Sequence, residues 1–298
     1  MDDKTPQVIL EELDQLLEES PVVPSYGEDM DDPEYTQQYI EMQKLSSVTD
    51  KNVDLIVESA SKMITAQHMQ TFQLCSIGCG DGEFDRRILS RLTTAFPNVR
   101  LQYVGVDVNE VSCQTARELL KQIQGVEVEV KRRDLQQLNP GDLSPSDLII
   151  VVHVLYYVEA IQPVLSCAMK HLKPTGYLII VNAHRYPLSE LYDRFWLHEH
   201  KKSLWFSDTI IKVLDEMGIE YRLKVSQGPC DVTHCFKGGF KNPSDLYFLD
   251  HITHTKMRKH PPVVVQKCID YLSSIAEGKP DKFILTEVAD VIFVQNSY

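Results

Sequence analysis

Between residues 71 and 183 the chain alternates. Short apolar runs (TFQLCSI, LQYVGVDV, VEVEVKRRD, SDLIIVV and GYLIIVNA) are separated by helical stretches, among them EFDRRILSRLTTAF, EVSCQTARELLKQIQ and IQPVLSCAMKHL. No other feature constrains the fold as much. A strand, a helix of about 10–15 residues and a second strand form a right-handed crossover, and repeats of that unit lay down a parallel sheet. DLIIVV and YLIIV do not alternate apolar with polar residues, as expected of strands covered on both faces. The expected class is α/β with a Rossmann-like sheet.

Outside that stretch the rhythm changes. SDTIIKVLDEMG reads as a helix closed by glycine, EYRLKVSQ as a strand and LTEVADVIFVQ as the last strand. Residues 229–281 are polar, aromatic and irregular. A long excursion between strands usually has a functional cause, so it is assigned as an inserted substrate-covering subdomain. Residues 1–34 are acidic and carry prolines; VILEELDQLLEE suits one amphipathic helix, and the whole stretch is expected to be a mobile extension. That leaves 35–228 and 282–298 as the main domain.

Composition excludes some partners. The 298 residues carry a formal charge of −13, which repels phosphate backbones and anionic lipid. No run approaches the roughly 20 apolar residues of a membrane span, and the acidic N-terminus lacks a secretory n-region. The seven cysteines are odd in number and form no CxxC pair, so a reducing cytosolic compartment is expected rather than a disulfide framework or zinc cluster. His251, His254 and His260 follow no helical spacing and lack acidic co-ligands; they read as a solvated loop, and no metal is expected.

The stretch LCSIGCGDGEFD, residues 74–85, turns from a strand into a helix through Gly78, Gly80 and Gly82. Glycines there permit backbone angles closed to other residues and let a ligand approach the main chain, while the following helix offers free N–H groups. A dinucleotide fingerprint would need glycine at 83, where Glu83 stands. Acid after the glycines suits a cationic ligand without phosphate, as S-adenosylmethionine is. The second strand ends in Asp107, placed to accept ribose hydroxyls, and the third in Asp134, placed to accept from an adenine amino group. Both aspartates also read as helix caps.

With these features the chain resembles class I S-adenosylmethionine-dependent methyltransferases, over about residues 70–226 and the last strand. The resemblance implies a seven-stranded sheet whose final strand, VADVIFVQ here, is antiparallel. Three stretches sharpen it: CSIGCGDGEFD, VLYYV at 154–158 and DVTHCF at 231–236 are similar to the histamine N-methyltransferase family, with coverage from about 35 to 298. In that family a Glu of the N-terminal helices, a Gln ahead of LYY and an Asn of the last strand hold the substrate. The matching positions here are Asp50, His153 and Glu287, so one amide is an imidazole and the other a carboxylate. The resemblance further implies aromatic walls from Tyr35, Tyr39, Tyr156, Tyr157, Tyr192 (where a Trp is expected) and Phe236. Ser112, Leu135 and Val152 join Gly78, Gly80, Gly82, Asp107 and Asp134 as cofactor contacts.

The implied activity is N-methylation of a small imidazole or amine by a monomer, with histamine first and carnosine as the alternative. Glu287 and Asp50 would pair with a substrate ammonium, and His153 would orient the substrate ring or take its proton. Bland readings stand beside these: Asp50 as a helix N-cap, His153 as a core histidine, and Tyr156 and Tyr157 as packing at the sheet edge. A non-catalytic cofactor-binding module, an NAD-dependent oxidoreductase and a carboxyl O-methyltransferase are the rival functions.

Overall fold

The structure is a computed structural model and describes residues 4–25, 33–138 and 143–296. Its sheet has seven strands: β1 (Thr71–Ile77), β2 (Arg100–Asp107), β3 (Val126–Arg132), β4 (Ser146–Val152), β5 (Leu172–Ala183), β6 (Tyr221–Asp231) and β7 (Ile284–Gln295). They lie in the order β3-β2-β1-β4-β5-β7-β6. Pairing is parallel from β3 through β5. β7 runs antiparallel to β5, with Tyr177 opposite Gln295 and Ala183 opposite Ala289. The expected α/β sheet with an antiparallel last strand is therefore present. β1 and β4 sit side by side with connections leaving in opposite directions, which opens a crevice at their C-terminal ends.

The helices are α1 (Pro6–Glu18), α2 (Pro33–Leu45), α3 (Val48–Ala66), α4 (Glu83–Ala95), α5 (Glu110–Leu120), α6 (Ile161–Lys170), α7 (Pro187–His200), α8 (Ser207–Glu216), α9 (Thr233–Gly238), α10 (Pro243–Thr253) and α11 (Pro262–Ile275). Two compact units share them. The first comprises Met1–Val48, His184–Leu204 and Gln227–Val288; the second comprises Thr49–Ala183, Trp205–Ser226 and Ala289–Tyr298.

The second unit is built on the sheet. Ile77, Val106, Ile149, Val151 and Ile180 are fully buried against Val164 and Leu165 of α6 and Ile210 and Leu214 of α8. Each such side chain contributes about 1.5–3 kcal/mol relative to exposure. Two buried polar side chains tie the second unit together. Ser207 Oγ donates to Asp290, and Asn182 Nδ2 donates to the Trp205 carbonyl at 2.8 Å. The Trp205 indole in turn donates to the Val158 carbonyl at 2.8 Å, which pins the segment after β4.

The first unit is helical and departs from the sequence reading in two places. Residues 6–18 form a docked helix within the stretch expected to be a mobile extension. Its stripe of Ile9, Leu10, Leu13 and Leu17 is buried, and α1 packs on α7 and α11. The spacing i, i+4, i+8 supplies an apolar face that a helix gains by covering. Residues 229–281, read as irregular, contain α9, α10 and α11. The β-branched run of PVVVQKCIDYLSSI hid α11, whose helix is held by burial of Val264, Cys268, Tyr271 and Leu272.

Candidate active site

The glycine turn is shaped by three left-handed residues. Gly78, Gly80 and Gly82 have φ of 75°, 54° and 81°. They serve different ends. A β-carbon at Gly78 would sit 2.3 Å from Val154 Cγ2, and one at Gly82 would meet Ala116 at 3.0 Å. At Gly80 a β-carbon would meet nothing within 4 Å. Gly78 and Gly82 are closed by packing, whereas Gly80 faces open space, as a cradle for a ligand must.

Asp107 underlies that cradle. Its Oδ2 accepts the Gly80 N–H at 2.9 Å, its Oδ1 accepts the Asn109 N–H at 3.0 Å, and its carbonyl accepts the Arg133 N–H at 2.8 Å. Burial pushes its pKa up, against the pull of those backbone donors. A carboxylate offers about four lone-pair directions, so acceptor capacity remains for a hydroxyl. Asn109 caps α5 by accepting from the Ser112 N–H at 2.7 Å. Asp134 is exposed and caps the 3₁₀ turn Leu135–Gln137 through the Gln136 N–H at 2.9 Å, with Leu135 buried beside it. The capping reading thus holds for Asp134.

The acids after the glycines are not a free anionic patch. Asp81 folds back to accept the Glu83 N–H at 3.0 Å. Glu83 is gripped by Arg86 at 2.7 and 2.8 Å and by Arg87 at 3.1 Å, and the Arg86 guanidinium foremost holds its carboxyl below the usual range. Asp85 is buried, accepts the Tyr103 hydroxyl and has its pKa pushed up to about 7 by burial. Two of these carboxylates carry partners in place and one turns back to cap its own helix. Tyr103 and Asp85 form a polar floor beneath the turn that no local pattern announced.

Beyond β4 stands His153, in the left-handed region at φ 52° with its N–H donated to the Val181 carbonyl at 2.8 Å. That backbone costs about 1–3 kcal/mol in a residue other than glycine, and such strain gathers at functional sites. His153 Nδ1 lies 2.9 Å from the Tyr156 hydroxyl, which also accepts the Ala183 N–H at 2.6 Å. Tyr156 and Tyr157 meet edge-on at 6.0 Å. The half-buried imidazole is desolvated, and its pKa falls to about 4. Val152, at the end of β4, is partly exposed beside this group.

The remaining predicted residues are placed as follows. Asp50 lies in the first turn of α3 rather than at its N-cap, is exposed, and pairs with Arg87 at 3.3 Å. In the first unit, Glu287 accepts from Ser46, and burial raises its pKa. Tyr192 stacks on His254 with centroids 4.8 Å apart, and Tyr39 lies 6.2 Å from His251. Phe236 stacks on Phe283 at 4.2 Å and joins the core, a packing role rather than an open wall. Tyr35 falls in α2, but its side chain lies outside the described residues. His254 and His260 are not solvated: they are buried, with pKa values lowered by burial to about 3 and about 4, and His260 Nε2 lies 3.2 Å from Thr255 Oγ1. A cavity of about 540 Å³, lined by Lys62, Tyr177, Arg222 and Phe293 among others, contains none of the predicted site residues.

Comparison with known proteins agrees with this geometry. Residues 75–178 match the family described as "Methyltransferase domain". Guinea pig histamine N-methyltransferase is 25% identical over 202 residues, covering 61% of this chain and 66% of that enzyme. Chicken carnosine N-methyltransferase 2 is 24% identical over 198 residues, covering 62% and 61%. The chain thus spans somewhat under two thirds of the length of these relatives. The plantazolicin methyltransferase BpumL, solved with S-adenosylhomocysteine, superposes with a TM-score of 0.52 at 13% identity, over 97% of this chain and 99% of that one.

The sheet order, the open left-handed Gly80 and the aspartate ending β2 make the chain a class I S-adenosylmethionine-dependent methyltransferase. At about 25% identity it is similar to histamine N-methyltransferases. Among the described residues, no helix is long and apolar enough to cross a membrane.

Proposed function

We propose that the chain methylates a nitrogen of a small imidazole- or amine-bearing molecule, with histamine as the first candidate. When bound, S-adenosylmethionine supplies an electrophilic methyl group on a sulfonium. The residues present fit it: Gly80 leaves room for close approach, the Asp107 carboxylate retains acceptor capacity for a ribose hydroxyl, and Leu135 and Ser112 flank the same strand ends.

The observation that carries the nitrogen-acceptor reading is the state of His153. The Tyr156 hydroxyl accepts from Ala183 and lies 2.9 Å from Nδ1; our reading has it donate there, so that the neutral ring carries its hydrogen on Nε2. With a pKa near 4 this imidazole is a poor base at neutral pH and a good donor. Its work is to hold an acceptor atom of the substrate, so that the nitrogen being methylated keeps its lone pair and its alignment. Tyr156 and Tyr157 add ring faces and exclude water. In the first unit, Glu287 with Ser46 offers a carboxyl able to pair with an ammonium.

His153→Gln retains a donor and is expected to keep activity within about tenfold, while His153→Ala loses on the order of 100-fold. The kcat/KM profile carries no limb near pH 6.5 from His153, since that group titrates near 4. Equal losses in both variants would assign it a base instead.

The defining assay follows radiolabelled methyl from S-adenosylmethionine to histamine, carnosine, histidine and several monoamines. Labelling of histamine on a ring nitrogen is the expected result. The chicken relative supports carnosine as the second reading. Cofactor binding without methylation of any amine marks a non-catalytic module, and label in a base-labile ester marks a carboxyl methyltransferase. A cytosolic monomer without nucleic-acid or membrane partners is part of the same proposal, checked by size-exclusion chromatography and cell fractionation.

A further inference from the structure

α9 begins at Thr233 and α10 at Pro243, and the short loop between the two helices brings three potential metal ligands together. His234 Nε2 lies 3.5 Å from Asp245 Oδ1 and 3.4 Å from Cys235 Sγ. One donor atom from each of the three residues falls within 4.8 Å of the others. Cys235 and Asp245 are fully buried, whereas the His234 ring is half exposed. Asp245 Oδ1 has no hydrogen bond shorter than the 3.5 Å approach of His234, its Oδ2 meets the Asn242 amide at a long 3.4 Å, and the Cys235 thiol bonds to the same carboxylate. A buried carboxylate whose one possible ion-pair partner is a half-exposed imidazole is weakly compensated, and a cation between the two would compensate it.

The separations themselves are informative. Bonds of about 2.0 Å to nitrogen or oxygen and 2.3 Å to sulfur, set at tetrahedral angles, place neighbouring ligand atoms roughly 3.3–3.5 Å apart. The two measured edges match that spacing. Thiolate, imidazole and carboxylate together form a mixed set that suits a borderline-soft ion, not magnesium or calcium. We propose that His234, Cys235 and Asp245 form a zinc site, with water in the fourth position on the exposed His234 side. The ion ties the six-residue α9, too short to be stable alone, to the first turn of α10. In the sequence the ligands are two adjacent residues, 234 and 235, and a third ten positions after the second, a pattern unlike a CxxC pair.

The test uses the full chain, tag removed, reduced and stripped with a chelator. Added Zn(II) should bind in one equivalent and raise Tm. Co(II) in its place should give the near-ultraviolet thiolate-to-cobalt charge-transfer band. His234→Ala, at an exposed position that spares the fold, should lose both the zinc-induced rise in Tm and the band, while keeping the metal-free Tm. Cys167, near His171, could also bind cobalt, which is why that variant decides. No zinc-induced rise, no thiolate band, or either signal surviving unchanged in His234→Ala overturns the site.

Discussion

Gly80→Ala is expected to fold and yet fail to hold S-adenosylhomocysteine, while Gly78→Ala should lose the fold itself. Both glycines are left-handed, so either alanine pays a backbone cost of about 1–2 kcal/mol. Beyond that they diverge. At position 78 the new methyl would meet Val154 Cγ2 at 2.3 Å and Val154 Cβ at 2.7 Å, and the second of these atoms cannot swing away. Overpacking of this kind adds about 1–3 kcal/mol. At position 80 the methyl enters open space and clashes with nothing in the protein. That space is where the cofactor must lie against the main chain, so the methyl displaces ligand instead. Calorimetric affinity for S-adenosylhomocysteine should fall by one to two orders of magnitude, about 1.4–2.8 kcal/mol, with Tm nearly kept. Adding Val154→Ala should recover much of the stability lost by Gly78→Ala and none of the binding lost by Gly80→Ala. Full binding by Gly80→Ala would move the cofactor away from this turn.

The contrast shows which parts of the molecule its residues spell out. A strand buried on both faces must be an unbroken apolar run, and a left-handed turn pressed against a neighbour must be glycine. Hence β1, β4, β5 and the Gly78–Gly82 turn were legible. Charge was harder to read. Glu83, Arg86 and Arg87 stand at i, i+3 and i+4 on one helix, so their pairing was available from spacing alone. The partnership of Asp85 with Tyr103 was not, because it joins a helix to a strand 18 residues away. The docking of α1 was equally hidden: an amphipathic stripe announces that a face will be covered but not by what. In the predicted substrate set, resemblance pointed to positions, and only coordinates separated a strained, hydrogen-bonded His153 from a packed Phe236 and an exposed, salt-bridged Asp50.

Asp85→Asn should stabilise the protein, and by more in base than in acid. Burial lifts the Asp85 pKa to about 7, well above the value near 3.8 it would have unfolded; hydrogen bonds from Tyr103 and Ser76 only partly offset this, and nearby Asp81 adds to it. The sign follows from proton counts. Between those values the folded state binds the proton and the unfolded state does not, so stability is greatest below the unfolded pKa and is lost as pH rises through about 7. A gap of about three units corresponds to a ceiling of roughly 4 kcal/mol, with 2–4 kcal/mol as the expected order. Asparagine removes the ionisation while keeping an oxygen for the Tyr103 hydroxyl and an amide hydrogen for Ser76. Denaturant melts at about pH 8.5 should therefore favour the variant by a few kcal/mol, and the advantage should shrink by about 1.4 kcal/mol per unit as pH falls below 7. Half-buried His153 and buried His254 and His260 pull the total stability the other way in acid, since their folded pKa values lie below the unfolded one. The difference between variant and parent cancels that contribution. A flat difference across this range would mean that Asp85 is ionised in the folded protein, with the Tyr103 hydroxyl and the turn above it holding a charge rather than a proton.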